Sequence, residues 1–354
     1  MNNPPEHDPL SPENWSLNSP SVLGSMDAPP SAAEQPIGAP QVEQPVAAFL
    51  PEAPSTVAEP PPAGYASPES EQPLFYSLSQ PEVRLPARIP NLGHLLLLAA
   101  LACVGLVVAS ILFYAGARLH LFGVTSMQQA GNDIHYILGV EGLIYLFTFG
   151  ASVLVFPMFW HKSFFAGLQW NGATALRLRW RLVSAAFLCF VLAWLNGYLL
   201  PGPTNTPIEK IFRTPGAAWM LFAFGVTFAP FFEEMLFRGF LLPSLCTAYD
   251  WVGEQISHKS PPPLLENGHP QWSLAAMIVG SIATSIPFAA MHAEQTGYSI
   301  GPFLLLVGVS LVLCTARLVT RSLAASTLVH ACYNFLLFSL MLVGTGGFRH
   351  LDKM

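Results

Sequence analysis

The sequence predicts an all-α fold, a polytopic transmembrane helical bundle of about seven spans preceded by a disordered N-terminal tail. Of the 354 residues, 52% are hydrophobic and 10% are charged, whereas soluble domains have about 25% charged residues. Seven apolar segments follow the first 90 residues, with lengths near the 20 or so residues that cross a bilayer. The first 90 residues have a different composition, which separates the tail from the bundle.

The tail is acidic and rich in proline. Residues 1–83 contain eleven of the 21 Asp and Glu residues and no Lys or Arg, and 20 of the 33 prolines lie in residues 1–90. Such a segment cannot bury enough apolar surface to offset the entropy of ordering. It also lacks the basic region and apolar core of a signal peptide. We therefore predict that residues 1–90 form a disordered tail.

The seven spans divide the rest of the chain. They are predicted at residues 92–116, 136–160, 182–200, 217–248, 272–291, 299–318 and 322–343. The fourth would measure about 48 Å as one helix, so we expect it to tilt, or to kink at Pro230 or Pro243. Residues 91–181 then hold two spans and a basic, aromatic segment, residues 182–343 hold the remaining bundle, and residues 344–354 form a short C-terminal tail.

Positive charges predict the orientation in the membrane. Nine Lys and Arg residues flank the spans on the side of the N-terminus and five on the other side, and cytoplasmic loops are enriched in these residues. We therefore predict a cytoplasmic N-terminus. The segment HKSFFAGLQWNGATALRLRWR, between the second and third spans, is predicted to lie at the membrane interface. The acidic net charge of −6 and the flanking spans exclude a nucleic-acid partner.

Three charged residues interrupt the fourth span. It costs free energy to place Glu233, Glu234 and Arg238 inside a membrane. Ionisable residues in a span therefore indicate a functional site. Glu234 and Arg238 are four residues apart, so a helix brings them together as an ion pair. Glu233 points about 100° away from Glu234 and is the carboxylate left for a general base. The alternative is a charge cluster that only locks helices together.

Two later spans carry further polar groups. Phe288 and His292 share one face of the fifth span, where Pro287 favours a kink. His330 and Asn334 share a face of the seventh span, and both can donate hydrogen bonds toward a developing oxyanion. The alternatives are an interfacial histidine and a polar clamp between helices.

Together these groups favour a hydrolase that activates water, because they supply a carboxylate, two imidazoles and an amide. Glutamate with two histidines also resembles a zinc set, but the HExxH signature is absent. We predict no cofactor and keep zinc as the alternative. Glu141, in the second span, has no near partner in sequence, and pairing with a distant arginine, protonation and a direct role all stay open.

The three motifs resemble a known set. EEMLFR at residues 233–238, FAAMH at 288–292 and HACYN at 330–334 are similar to the EExxxR, FxxxH and HxxxN motifs of the CPBP intramembrane protease family. That family joins type II CAAX prenyl endopeptidases with bacteriocin-processing and self-immunity proteins. The resemblance covers residues 180–343, and all three motifs occur in order, each within a span.

The resemblance implies a role for each motif residue. Glu233 with His292 would activate the hydrolytic water, and His330 with Asn334 would form the oxyanion hole. The supporting positions would be Glu234, Arg238 and Phe288. The family has been described both as metal-dependent and as glutamate-dependent, and we favour the glutamate type because Glu233 needs no metal to act as a base.

The sequence therefore predicts an integral-membrane endopeptidase that hydrolyses a peptide bond in or near the bilayer. Its partners would be the lipid bilayer and a peptide or protein substrate, with or without a prenyl group. One alternative is a non-catalytic self-immunity or scaffold protein with the same fold. Another is a proton-coupled transporter, which would need polar residues along the first three spans, where they are sparse.

The depth of His292 is a geometric difficulty. If the fifth span enters the membrane near Trp272, His292 lies about 30 Å further along the helix, near the opposite surface. We therefore expect residues 293–298 to dip into a recessed, water-accessible cavity at the depth of Glu233, where non-helical backbone is tolerated.

Overall fold

The structure, a computed structural model, describes residues 88–200, 216–265 and 268–348. Most of the predicted tail and the last residues of the chain lie outside these ranges. Among the described residues seven helices are long and apolar enough to cross a membrane, and no β-strand occurs. They are α1 Leu92–Arg118, α2 Ile134–Trp160, α3 Arg179–Leu199, α4 Ala217–Ser257, α5 Leu274–Met291, α6 Ile300–Thr320 and α7 Leu323–Gly344. The predicted all-α, multi-pass bundle is confirmed.

Several of these helices begin where a polar side chain accepts a hydrogen bond from the first turn. Asn91, Asp133, Ser273 and Ser322 cap α1, α2, α5 and α7 in this way. The free N–H groups of a helix start are costly to leave without an acceptor, and short polar side chains satisfy them. The caps therefore fix the start of these four helices within a largely apolar chain.

Helix α4 is interrupted twice, once before each of its prolines. It is α-helical over Ala217–Val226, breaks at Thr227, resumes over Phe228–Glu234, is π-helical over Met235–Leu241 and ends with Leu242–Ser257. Pro230 and Pro243 lack the N–H that the carbonyl four residues earlier would accept in an α-helix. The prediction of a kink at Pro230 or Pro243 is met by an irregularity at both.

The same helix runs nine residues beyond its predicted end at residue 248, to Ser257. Its last two turns include Asp250 and Glu254, so the apolar pattern stops before the helix does. Glu254 accepts a hydrogen bond from Arg88 at 2.7 Å. Because α4 extends this far, the start of α5 lies beside the last turns of α4.

Helix α5 packs antiparallel to the second half of α4. The Cys246 thiol donates to the Ala276 carbonyl at 3.4 Å, and the Phe237 and Phe288 rings meet edge to face with centroids 5.2 Å apart. Both contacts follow one antiparallel register. Four residues before Phe237 on α4 and four residues after Phe288 on α5, the same register pairs Glu233 with His292, at the C-terminal end of α5.

The start of α5 accounts for the depth of His292. The Ser273 hydroxyl donates to Asp250 at 2.6 Å, so α5 begins beside the last turns of α4. Asp250 lies 16 residues after Glu234 in the sequence. Its 18 residues then carry His292 back to the level of Glu233. Residues 292–298 form consecutive turns, so the backbone there is non-helical; the expected recessed, water-accessible cavity stays a prediction.

The close approach of α5 to α4 depends on Gly280. A Cβ added there would lie 2.7 Å from the Cys246 sulfur, which is buried and hydrogen-bonded. We therefore expect Gly280→Ala to lower the stability of the bundle by about 1–3 kcal/mol through overpacking. The measurement is the fraction of detergent-solubilised protein that stays monodisperse after heating.

Cys246→Ala provides the control for that collision. The double variant Gly280→Ala/Cys246→Ala should recover most of the stability, because the atom that collides is gone. Equal instability of the single and double variants would show that the Gly280–Cys246 contact does not set the spacing of α4 and α5.

The segment between α2 and α3 packs into the bundle rather than lying only at its edge. Phe164 and Leu168 are buried, and the Gln169 carbonyl accepts a hydrogen bond from the Leu323 amide at 3.0 Å. Arg317, which we counted among the flanking charges, is buried and donates to the Gln169 side chain at 2.7 Å and to the Arg238 carbonyl at 3.2 Å. It therefore supports the π-helical turn of α4 instead of marking a membrane surface.

Candidate active site

Glu233 and Glu234 end the short α-helical piece of α4, directly before the π-helical turn. Both are buried, with 8% and 0% of their surface exposed. The piece is bounded by the break at Thr227 on one side and by the π-helix on the other. π-Helical turns often occur at functional sites.

The predicted ion pair of Glu234 with Arg238 is confirmed. The two side chains meet at 2.8 Å and neither is exposed. Arg238 also donates to the Ser310 hydroxyl at 2.6 Å and to the Ser310 carbonyl at 3.1 Å, and its guanidinium carbon lies 4.5 Å from the centre of the Phe288 ring. The arginine thus ties α4 to α6 and to α5, and its charge is occupied by Glu234.

His330 bridges the two glutamates. Its Nδ1 lies 3.1 Å from Glu234 Oε1 and its Nε2 lies 3.7 Å from Glu233 Oε2. Because Glu234 is paired with Arg238, its carboxylate is an acceptor, which assigns the Nδ1 proton to His330. The imidazole is thereby held with Nε2 toward Glu233.

His292 approaches Glu233 from the end of α5. Its Nε2 lies 3.8 Å from Glu233 Oε2, and its Nδ1 lies 2.9 Å from the Phe288 carbonyl. The carbonyl can only accept, so Nδ1 carries the proton here as well. Phe288 therefore supports His292 through its backbone, and its ring packs against both imidazoles at centroid distances of 5.1 and 5.8 Å.

Glu233 Oε2 is the point on which the two histidines converge. It is buried and makes no hydrogen bond to any described residue. Separations of 3.7 and 3.8 Å exceed a direct hydrogen bond, and a water or reacting atom lying to one side of the three atoms could contact all of them. The arrangement places a carboxylate and two imidazole nitrogens around one position.

Asn334 lies one turn beyond His330 on α7. Its side-chain amide donates to the Gly225 carbonyl at 2.8 Å, just before the break of α4 at Thr227. One N–H of the amide is therefore used to hold α4, and the second remains for another acceptor.

The sequence did not reveal two contacts of the site. Ser310 binds Arg238 but lies in a largely apolar helix, with no signal that could have singled it out. Glu141 does have a near partner, contrary to the sequence interpretation, because the Tyr145 hydroxyl donates to it at 2.8 Å. That tyrosine lies one helical turn after Glu141, so the i, i+4 spacing was a signal that could have been used.

The side chains of the site were predicted to act without a metal, with zinc as the alternative. Among the residues that the structure describes, no group of three or more His, Cys, Asp and Glu side chains is arranged to hold a metal ion. Glu234 and His330 are instead engaged with Arg238 and with each other. The glutamate-type interpretation stays a prediction, with zinc as its alternative.

Comparison with known families identifies the part of the chain that holds most of the site. Residues 215–336 match the model of the family described as type II CAAX prenyl endopeptidase Rce1-like. Neither the curated proteins nor the solved structures gave a significant match. The matched segment contains all three motifs, so the predicted resemblance to the CPBP family is confirmed over residues 215–336 of this multi-pass helical membrane protein.

Proposed function

We propose that this protein is an integral-membrane endopeptidase that hydrolyses a peptide bond in or near the bilayer, with Glu233 as the base that activates water. The observation that supports it most directly is the buried Glu233 Oε2, which faces the Nε2 atoms of His292 and His330 at 3.8 and 3.7 Å. A water between these groups would be held by acceptors on more than one side, which favours loss of its proton.

The two histidines have different roles in the proposed mechanism, His330 as a donor and His292 as an acceptor. Glu233 Oε2 and the Nε2 atoms of His292 and His330 would all be acceptors if both imidazoles were neutral. Their lone pairs would then face each other, unless a water donates to them or one imidazole carries a second proton. The proposed oxyanion role of His330 requires a proton on Nε2 as well as on Nδ1, and the carboxylates of Glu233 and Glu234 lie on either side of the ring as partners for that form. His330 can then donate from Nε2, while His292 accepts.

The reaction follows from these roles. The water oxygen attacks the peptide carbonyl as its proton passes to Glu233, and the carbonyl oxygen becomes an oxyanion. His330 Nε2–H and the second N–H of Asn334 would stabilise that oxyanion. When the C–N bond breaks, the proton on Glu233 passes to the leaving nitrogen, and Glu233 returns to its ionised form.

The substrate is proposed to be a peptide or protein tail that reaches the site from the cytoplasmic side, with or without a prenyl group. The matched family is described as type II CAAX prenyl endopeptidase Rce1-like, and the predicted orientation places the more basic surface in the cytoplasm. The lipid bilayer would receive a prenyl chain beside the bundle.

The purified full-length protein should cleave a farnesylated peptide with a CAAX-type end at a single bond, and a chelator should leave the rate within about twofold, because general acid–base catalysis by Glu233 needs no metal. The test compares farnesylated and unprenylated versions of one peptide, each with and without EDTA, by mass spectrometry of the products.

The other results of this assay have defined meanings. Loss of activity with EDTA and its return with zinc would contradict the glutamate-type mechanism. Folded protein that cleaves neither peptide, nor any member of a peptide library, would support the non-catalytic scaffold alternative. Equal cleavage of both peptides would support the peptidase proposal and would show that the enzyme does not require a prenyl group on its substrate.

A further inference from the structure

Helix α2 places a second carboxylate beside the proposed active site. Glu141 is half-buried within a span, and the Tyr145 hydroxyl donates to its Oε1 at 2.8 Å. Among the described residues Glu141 has no ion-pair partner within 4 Å and no second hydrogen bond to a side chain, although its carboxylate is within electrostatic range of Glu233 and His292. It lies outside the segment 215–336 that matches the family.

Aromatic packing fixes Glu141 against the α4 face that carries Glu233. The Tyr145 ring stacks on Phe232, the neighbour of Glu233, with centroids 4.8 Å apart, and on Phe224 at 6.1 Å. Tyr145 is therefore held by its ring and holds Glu141 by its hydroxyl. An ionisable residue kept inside a membrane without a cation is a functional hypothesis by default.

The alignment of α2 with α4 gives the offset between Glu141 and Glu233 along the helix axes. Contacts from Tyr145 to Phe224 and Phe232, and from Phe156 to Phe240 at 4.8 Å, show that α2 and α4 run in the same direction. The backbone of Glu141 therefore lies near the level of Phe224 to Phe228, an offset along α4 of about 8–13 Å from the backbone of Glu233 at 1.5 Å per residue. An extended peptide covers that distance in about two to four residues.

We propose that Glu141, positioned by Tyr145, binds a backbone N–H of the extended peptide substrate about two to four residues from the scissile bond. This proposal rests on the proposed endopeptidase function. A carboxylate is an acceptor of strong, charge-assisted hydrogen bonds, and a backbone N–H is present in every peptide. The arrangement would align the chain along α4, so that its carbonyl meets Glu233 in the correct position.

The test combines variants of Glu141 with backbone N-methylation of the peptide. A series of farnesylated peptides, each methylated at one nitrogen within four residues of the scissile bond, is assayed with the wild type and with Glu141→Ala. In the wild type, methylation at one position should raise KM by about tenfold with little change in kcat, the loss of one charge-assisted hydrogen bond. In Glu141→Ala the KM for the unmethylated peptide should already be raised, and the same methylation should change it by less than about twofold.

Two variants on the same helix serve as controls. Tyr145→Phe keeps the ring stacking and removes the donor to Glu141, so it should give a smaller rise in KM than Glu141→Ala. Leu146→Ala changes a side chain that is 53% exposed on the outer face of α2 and should leave KM and kcat unchanged. A loss of kcat in Glu141→Ala as large as that in Glu233→Gln would overturn the proposal, and so would a wild-type KM in Glu141→Ala.

A binding measurement separates this proposal from the endopeptidase proposal. Binding of the fluorescent farnesylated peptide is compared between Glu233→Gln and Glu233→Gln/Glu141→Ala, neither of which needs to cleave it. Weaker binding by about tenfold in the double variant supports the role of Glu141 even if no peptidase activity is found. Equal binding by the two variants refutes the role of Glu141 and leaves the endopeptidase proposal intact.

Discussion

Replacement of Glu233 by glutamine should slow peptide cleavage by at least two orders of magnitude. Glutamine keeps the shape of the side chain but cannot accept the proton of the attacking water, so kcat should fall by about 10²- to 10⁴-fold. Because Glu233 Oε2 makes no hydrogen bond to a described residue, the change breaks no direct hydrogen bond of that oxygen. The measurement is single-turnover cleavage of the farnesylated peptide by variant and wild type at equal concentrations.

Glu294→Gln is the matched control. Glu294 is an exposed carboxylate two residues after His292, in the turns that follow α5, and its replacement should leave the rate unchanged. Both variants should also match the wild type in abundance and in thermal stability. Cleavage by a folded Glu233→Gln variant at the wild-type rate would refute the assignment of Glu233 as the base.

Much of the fold was predictable because each span carries its own signal. The length and composition of the apolar segments gave all seven helices, and the prolines at 230 and 243 gave the positions where α4 departs from an α-helix. The end of α4 was not predictable from hydropathy, because its last turns mix polar and apolar residues as an amphipathic helix does. That extension sets the start of α5, and therefore the depth of His292.

Some contacts of the site could be predicted from sequence spacing within one helix, whereas others depend on how separate helices pack. The pair of Glu234 with Arg238 follows from helical spacing, and the three motifs identified His292, His330 and Asn334 as candidates. Their distances to Glu233 depend on how α5 and α7 align with α4, which is a property of packing between helices. Ser310 has no local signal at all, since a lone serine in an apolar span is ordinary.

The ion pair of Glu234 and Arg238 predicts the largest effect on stability. Arg238→Met removes the cation and leaves a carboxylate buried with His330 as its remaining partner, and breaking a buried pair in this way costs about 3–5 kcal/mol. We expect the variant to unfold at a markedly lower temperature. The measurement is the reaction of a thiol-specific dye with Cys189, Cys246 and Cys314, which are buried in the folded protein, as temperature rises.

Arg238→Lys tests whether the charge alone is enough. Arg238 uses two nitrogens to reach Glu234 and Ser310 together, and lysine offers one compact ammonium group in place of that planar fork. The lysine variant should therefore be intermediate in stability between the wild type and Arg238→Met. If its stability equals that of the wild type, the link from α4 to Ser310 on α6 contributes nothing measurable.

The double variant Glu234→Met/Arg238→Met separates packing from positioning. Replacing both members of a buried pair by apolar residues of similar size is often neutral or stabilising, so most of the lost stability should return. Cleavage should not return, because His330 Nδ1 has lost the carboxylate 3.1 Å away that orients its Nε2 toward Glu233. A stable double variant with wild-type cleavage would mean that Glu234 does not position His330, and the proposed oxyanion stabilisation would need another donor.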